Sequence, residues 1–433
     1  MSNMKLQAAL IAAFMAGSMA SAYAQQGDGK VRSNGLGLIS ADGENSINLT
    51  GRIHVDTRQF SSDFSDNATR DKDTAKYGDT FEIRRARIGF TGTLLKDISY
   101  EVVFNAAASD STNLDTGWIN YGFSKHLNLR AGRFKQQFNL EELTSSNNID
   151  FIERSFVNQF APGKKAGMML HGVITDGVSY GVTRFQESNT AASASGNFQS
   201  TARLAANIAQ LANWDNNSVL HVGFARHSGT IDVASGATGD VVKLRTDARG
   251  ADGVFVSTFA SGDTANINEV RRNSNGFELA VAYGPFKFQT ENVNAKFDFE
   301  NLNRSNVVDG TIKAQYYSVV YNITGENWSD FYKDGTFIGI RPKSNYSSKN
   351  TSGGGWQIGY RNSSYDAEKW TSTTATSGSK VGKTNTLGLT WLLNPNARIM
   401  LNHSSTKFDT AFALGATSGT KESVTTLRTQ VNF

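Results

Sequence analysis

Apolar and polar residues alternate along most of the chain, in segments of roughly 9–13 residues that begin at Ser46. The clearest segment is INLTGRIHVDTR, where Ile47 and Val55 fall on one face and Arg52 and Arg58 fall on the other. A strand with this period has one apolar face and one wet face. The segment length is what a tilted strand needs to cross a bilayer. The pattern therefore predicts membrane-spanning β-strands.

The connections between these segments alternate between short and long. Tight turns are expected at residues 95–97 and 394–396, whereas residues 230–274 and 364–382 are long and rich in Ser, Thr, Asn, Asp and Gly. In an outer-membrane barrel, short turns face the periplasm and long loops face outside. About 16 segments can be counted, and closure pairs every backbone group in lipid. The predicted fold is an all-β transmembrane antiparallel barrel of about 16 strands with long outer loops.

Two further connections are expected to matter for the interior. Residues 139–163 have an apolar spacing that suits a short helix and a turn packed against something. Such a loop either folds inward and narrows the pore or packs on the surface, and the spacing leaves both open. Residues 324–352 are long although strand parity places them on the periplasmic side, and the hypothesis is that they fold back into the lumen.

The first 24 residues have the features of a cleaved secretory signal. One basic residue, Lys5, precedes an apolar stretch that ends in Ala22-Tyr23-Ala24. The expected organisation is a signal peptide at 1–24, an N-terminal periplasmic segment at 25–45 and the barrel at 46–433. The expected location is the bacterial outer membrane, in contact with its lipid and lipopolysaccharide.

Composition and charge exclude several other classes of protein. The chain has no apolar run long enough for a helical span after the N-terminus. Its formal net charge of +4, less Lys5 of the signal, is too small to indicate nucleic-acid binding. The 6 His are scattered singly and Cys is absent, so the sequence offers neither a catalytic nucleophile with its base nor a ligand-spaced metal cluster. We expect no enzymatic activity, no cofactor and no metal.

Three arginines interrupt an otherwise ordinary strand, FEIRRARIGFTG. Arg85 and Arg87 alternate with apolar residues and should face the lumen, because an Arg at the lipid midplane costs about 2–4 kcal/mol. Arg84 falls on the apolar face and is tolerable only at the outer rim or beside a bulge. With Arg52 from the preceding strand, these like charges need compensation by facing acids or by permeating anions. The alternative is an opposed basic and acidic wall that only keeps the pore wet.

Four ordered motifs resemble the phosphate-selective porin O and P family, and the likeness runs from about residue 47 to residue 433. They are FEIRRARIGFTGTLLKDISY, LNLRAGRFKQQFNLEELTSSNNIDFIERS, TGENWSDFYKDGTFIGIRPK and GKTNTLGLTWLLN. The resemblance implies a homotrimer of 16-stranded barrels for passive uptake of phosphate or related small oxyanions. An arginine ladder leads to a constriction formed by inward loops, and lysines line the periplasmic vestibule. By motif, the ladder comprises Arg52, Arg84, Arg85, Lys243, Arg245 and Arg249, the constriction Arg154 and Asp115, and the vestibule Lys333, Arg341 and Lys383.

The chain departs from this pattern at the expected constriction. Glu142 stands where the phosphate-specific members have a lysine, and Asn147 stands at a basic position just beyond it. A carboxylate there repels a phosphate dianion unless it turns away or pairs with Arg154. Parity also places Asp115 on the outward face, so its lumenal role needs a bulge or a loop position. The alternative function is a general or differently selective diffusion porin without phosphate specificity.

Overall fold

A computed structural model describes residues 30–31, 37–63, 79–107, 114–187, 198–232, 239–259, 269–300, 306–372, 375–414 and 417–433. Within these residues, sixteen antiparallel strands form one closed barrel, as predicted. They are β1 (Ser46–Ser62), β2 (Thr80–Leu94), β3 (Ile98–Asn105), β4 (Leu114–Ser124), β5 (Leu127–Lys135), β6 (Lys164–Thr175), β7 (Val178–Gln186), β8 (Phe198–Asn207), β9 (Ser218–Asp232), β10 (Glu269–Tyr283), β11 (Phe286–Glu300), β12 (Asn306–Asn322), β13 (Gly355–Asp366), β14 (Val381–Asn394), β15 (Ala397–Leu414) and β16 (Thr417–Asn432).

The barrel closes between its first and last strands, so that neither leaves an edge in lipid. Val431 of β16 lies opposite Ile53 of β1, and the ladder runs on to Glu422. Alternation along β1 follows the sequence pattern, because Ile53 is 48% exposed while the neighbouring His54 is completely buried. Apolar side chains thus face lipid, and the polar face of each strand points into the barrel.

Residues 136–163, here called the inner loop, fold into the barrel. A helical turn at Leu140–Leu143 and a 3₁₀ turn at Phe156–Phe160 match the short helix and turn predicted from the sequence. Phe138, Phe156 and Phe160 pack against apolar residues of β9 to β12. Of the two alternatives left open by the spacing, the structure shows the inward one.

Glycines on the barrel wall make room for this packing. Gly359 of β13 and Gly388 of β14 lie opposite each other in the ladder. A Cβ on either glycine would approach the Phe151 ring to 3.1–3.2 Å, which is tighter than ordinary van der Waals contact. The wall therefore carries a shallow groove that holds one aromatic side chain of the inner loop.

The connection between β12 and β13 also enters the lumen, as hypothesised. It contains a 3₁₀ turn at Trp328–Phe331 and a small hairpin of Tyr332–Lys333 with Thr336–Phe337, here called the periplasmic hairpin. The Tyr332 hydroxyl contacts Nδ1 of the buried His221 at 2.7 Å, and the Gly335 carbonyl accepts a hydrogen bond from Arg203 at 2.9 Å. Both partners belong to the inner face of the barrel wall.

The long connection between β9 and β10 is more ordered than its composition predicted. It forms a hairpin of Gly239–Arg245 with Asp252–Phe259, here called the basic hairpin, which is extended by Ala375–Gly378. Its turn is fixed to the wall because Glu422 accepts a hydrogen bond from the Ala251 N–H at 2.5 Å. Small apolar side chains of this hairpin pack with the inner loop.

The segment before the barrel is short in the described part of the chain. Gly37–Ile39 pairs with the start of β1, and Lys30–Val31 pairs with Gly37–Ile39. The predicted signal peptide at 1–24 lies outside the described residues. A search of the described helices finds no segment that is both long and apolar enough to span a membrane.

Candidate functional site: a charged constriction

The charged constriction is formed where the inner loop meets the inner faces of β1 and β2. Arg52 donates to the Ser146 hydroxyl at 2.8 Å, and His54 Nε2 lies 3.2 Å from the Asn147 Oδ1 atom. Gln430 also donates to the Asn147 carbonyl at 3.1 Å. These contacts fix the loop tip against the arginine-bearing strands.

A β-bulge brings both adjacent arginines of β2 to the lumen. His54 lies opposite Arg85 and Val55 lies opposite Ile83, which leaves Arg84 as the extra residue. Arg84 then reaches Glu153 of the inner loop at 2.8 Å. The sequence pattern named a bulge as one of two ways to tolerate Arg84, and the bulge is the one adopted.

Glu153 is surrounded by three arginines. It pairs with Arg84 at 2.8 Å, with Arg428 of β16 at 3.1 Å and with Arg58 at 3.7 Å. Burial alone raises the pKa of Glu153, but Arg84, Arg428 and Arg85 outweigh it and hold that pKa well below the usual range. Glu153 is therefore ionised and compensates part of the charge that the sequence placed here.

Arg428 and Arg58 share a second carboxylate, that of Asp56. Arg428 contacts both Asp56 oxygens, at 2.6 and 2.8 Å, and Arg58 contacts one at 2.7 Å. Arg428 and Asp56 are completely buried. The sequence analysis did not identify Glu153 or Arg428 as pore residues. Arg428 could have been identified, because it alternates with the outward Leu427 along β16.

Asp115 reaches the lumen through a second bulge, which parity had required. Val103 lies opposite Thr116 and Phe104 lies opposite Leu114, so Asp115 is the extra residue. Its carboxylate pairs with Arg87 at 2.8 Å and contacts Lys164.

Glu142 turns toward cations rather than into the opening. Its carboxylate lies 3.7 Å from Arg154 and 3.9 Å from Lys135. Burial raises the pKa of Glu142, but Lys135 and Arg154 more than reverse that effect and lower it overall. Arg154 also donates to the carbonyls of Glu141 and Thr144, each at 2.8 Å. Arg154 is thus largely occupied in holding the inner loop together.

Two of the arginines on β1 and β2 remain without a carboxylate partner. Among the residues that the structure describes, no carboxylate oxygen lies within 4.0 Å of Arg52 or Arg85. Arg85 is 7% exposed, and the Nε atoms of both side chains are buried without a hydrogen-bond partner. A guanidinium with unused donors is a ready partner for an oxyanion.

The basic hairpin brings further cations toward the same place. The electrostatic neighbours of Arg249 are Glu153, Arg84, Arg245 and Arg58. Arg249 has a positive φ of 57° at the hairpin turn. Lys243 lies apart from this group, where it pairs with Asp252 at 3.1 Å on an exposed part of the hairpin. Two of the three predicted ladder positions in this segment therefore lie near the constriction.

A cavity of about 890 Å³ lies below the constriction and opens among the periplasmic turns. Lys333 of the periplasmic hairpin lines it, together with Asn128 and His171. Arg341 is exposed farther along the same connection. Arg130, which lies on the inner face two residues beyond Asn128, was missed; its guanidinium stacks on Trp118 at 3.9 Å.

Lys383 does not belong to the vestibule, and that prediction is wrong. Along β14, Lys383 shares a face with Leu387 and Leu389, which are 58% and 37% exposed, whereas the intervening Thr384 and Thr386 are buried. Lys383 also lies far from the periplasmic turn that ends β14 at Asn394. It therefore points outward near the outer end of the barrel. The motif matched the family pattern, but it did not show on which side of the barrel wall the Lys383 side chain lies.

A search for groups of three or more potential metal-ligating residues finds none in the described part of the chain. The buried histidines instead serve the barrel wall; His221, for example, bridges Glu278 and Tyr332.

A closed barrel with apolar residues outside, a polar lumen and a charged constriction built by inward loops is the architecture of an outer-membrane porin. The chain belongs to the phosphate-selective porin O and P family, whose model matches residues 47–433. It is 26% identical to porin O of Pseudomonas aeruginosa over 402 residues, covering 87% of this chain and 86% of that protein. The protein is therefore a porin of the bacterial outer membrane rather than an enzyme.

Solved structures share the fold at low sequence identity. The outer membrane channel DcaP of Acinetobacter baumannii superposes with a TM-score of 0.53 at 11% identity, covering 94% of this chain and 99% of that one. OmpT of Vibrio cholerae in its trimer form gives a TM-score of 0.53 at 10% identity, covering 90% of this chain and 99% of that one.

Proposed function

We propose that this porin forms an anion-selective channel that admits phosphate or related small oxyanions by passive diffusion. The observation that carries the proposal is the pair Arg52 and Arg85. Among the described residues they have no carboxylate partner and their Nε donors are unused, at a constriction where Arg84 and Arg87 are already paired. An arginine presents a planar fork to an oxyanion and stays charged, and a few such sites in series bind loosely enough for conduction.

Among the predicted ladder residues of β1 and β2, Arg154 and the acids that pair with them, positive charges outnumber negative ones. Arg52, Arg84, Arg85 and Arg87 contribute four positive charges from two strands, and Arg154 contributes a fifth from the inner loop. Glu153, Asp115 and Glu142 contribute three negative charges that are held against particular cations. The surplus resides on the groups that face the opening without a carboxylate, which is where a passing anion gains most.

A general or differently selective diffusion porin is the second candidate, and Glu142 with Asn147 favours it. Pairing of Glu142 with Arg154 removes the repulsion that a free carboxylate would exert, but it also neutralises a cation that phosphate-specific members use. Whether the channel prefers phosphate to chloride is therefore what the experiment must decide. Family membership and the trimeric neighbour support assembly as a homotrimer in the membrane.

The test is block of chloride current by phosphate in planar bilayers. Purified channels are recorded in dilute potassium chloride, and millimolar phosphate is added to one side. Concentration-dependent block at pH 7 is expected, because phosphate dwells longer than chloride beside two unpaired guanidinium groups. Chloride current without block would support the general porin, and a preference for cations would refute the anion-selective channel.

A further inference from the structure

Three lysines form a straight row across neighbouring strands on the outer surface of the barrel. Lys383 of β14 lies opposite Lys407 of β15, and Lys407 lies opposite Lys421 of β16. Each of the three residues is exposed. We propose that this lysine row is a binding site for the phosphate groups of lipopolysaccharide in the outer leaflet.

The row lies on the lipid-facing side of the wall. Toward the periplasm, four residues from the row on β14 and six residues from it on β15 and β16, the same face carries Leu387, Leu401 and Leu427, which are 58%, 44% and 45% exposed. The residues beside the lysines, Thr384 and Thr406, are buried and share a hydrogen bond of 2.8 Å inside the barrel. The lysines therefore project away from the lumen, and they take no part in the charged constriction.

The height of the row matches the boundary between lipid tails and headgroups. From Lys383, β14 runs to the periplasmic turn at Asn394, and the length of this stretch sets the height of the row. With a rise of about 3.3 Å per residue and a tilt of about 40°, the row lies roughly 25–28 Å above that turn. The apolar band of such barrels is about 25 Å tall. The ammonium groups thus reach the outer rim, where lipid phosphates lie.

Like charges placed directly opposite each other destabilise a sheet unless something compensates them. In the part of the chain that the structure describes, no carboxylate oxygen lies within 4.0 Å of any of the three ammonium groups. The nearest acid by register is Asp63, beside Lys421, whose carboxylate accepts the backbone N–H groups of Thr420 and Lys421 at 2.9 and 3.0 Å. Asp366 on β13 and Asp409 on β15 lie near the other two lysines. The Asp366 carboxylate accepts a hydrogen bond from the Glu368 N–H at 2.9 Å. An anionic lipid is the compensation available at this depth.

Charge complementarity and location select one occupant. The outer leaflet presents phosphorylated lipid to this face, and a lysine near a charged membrane surface gains about as much as a fivefold change in affinity, so three give on the order of 100-fold. A free phosphate ion would meet the row only from water, with no acyl chains to pack against the leucines. The inference depends on the outer-membrane location and is independent of which ion the lumen selects.

The first measurement compares two lipids on the unaltered trimer. Binding of bisphosphorylated lipid A in detergent micelles is measured against lipid A from which the phosphates have been removed. Binding of the phosphorylated form on the order of 100-fold tighter is expected. Equal binding of the two lipids would overturn the proposal whatever any variant does.

The second measurement locates the site. The variant K383Q/K407Q/K421Q should lose most of that difference. The matched control K96Q/K343Q/K349Q removes the same charge from exposed residues on the periplasmic side and should retain it. Chloride conductance should be unchanged in both, which shows that the channel folds and separates this test from that of ion selectivity. Equal loss in both variants, or loss of the trimer in the row variant alone, would assign the lysines another role.

Discussion

Replacing Arg85 by glutamine isolates the contribution of one unpaired cation. Arg85 is 7% exposed and lacks a carboxylate within 4.0 Å among the described residues. Its charge acts on Glu153 only from a longer distance, and a passing anion can therefore come closer to it than any fixed partner. A unit charge 4 Å from an anion contributes about 1 kcal/mol in bulk water and about 4 kcal/mol at an effective dielectric constant of 20. In a water-filled opening the lower part of that range applies, about 1–2 kcal/mol.

That energy corresponds to phosphate block weakened roughly 5-fold to 30-fold. Arg226→Gln is the matched control, because Arg226 is exposed on the outer face and donates only to Asn275 at 3.2 Å. The assay is the half-blocking phosphate concentration in dilute salt, repeated at 1 M, where screening over about 3 Å should shrink the difference. The reasoning is refuted if both variants lose block equally, or if the Arg85 variant keeps it.

Other predictions follow from the loop contacts. Glu142→Gln should strengthen phosphate block several-fold in the same recordings, because Arg154 and Lys135 lose the carboxylate 3.7 and 3.9 Å away; weaker block would contradict this. Glu291→Gln should loosen the inner loop, because the two side-chain oxygens of Glu291 accept the N–H groups of Leu140 and Glu141 at 2.8 Å each, whereas a glutamine can accept only one of the two. The lost hydrogen bond contributes about 0.5–1.5 kcal/mol; larger, noisier single-channel currents are expected, and a quiet channel would count against it. Burial raises the pKa of Asp247 to about 7 against the opposing effect of Arg361, so the folded basic hairpin favours the neutral acid. The stabilisation by neutral Asp247 is fully present below the ordinary Asp pKa near 3.8 and is lost as pH rises through about 7. The protection of residues 246–251 against hydrogen exchange should therefore fall between about pH 4 and 7, and Asp247→Asn should abolish that change.

The barrel was predictable because its cause is local. Alternation such as that of Ile53 and His54 records lipid on one side and water on the other, and this alternation needs no knowledge of distant residues. The short turns and the inward periplasmic hairpin followed from counting strands. What alternation alone does not show is the irregular step, as at Arg84 and Asp115, where one extra residue reverses the face.

The ion pairs at the constriction could not be predicted from the sequence. Glu153 meets Arg84, Arg428 and Arg58 only because the inner loop, packed through Phe151 into the groove on β13 and β14, carries it there. No spacing within one segment encodes such a contact between four separate parts of the chain. For Lys383 the sequence held the answer. Its motif matched the family, but the alternation along its strand places the side chain on the outer face of the barrel.

The most direct test of the central claim is the reversal potential of single channels across a tenfold potassium chloride gradient. We expect a reversal potential close to the equilibrium potential of chloride, because unpaired guanidinium groups line the constriction. A reversal potential close to that of potassium would contradict it.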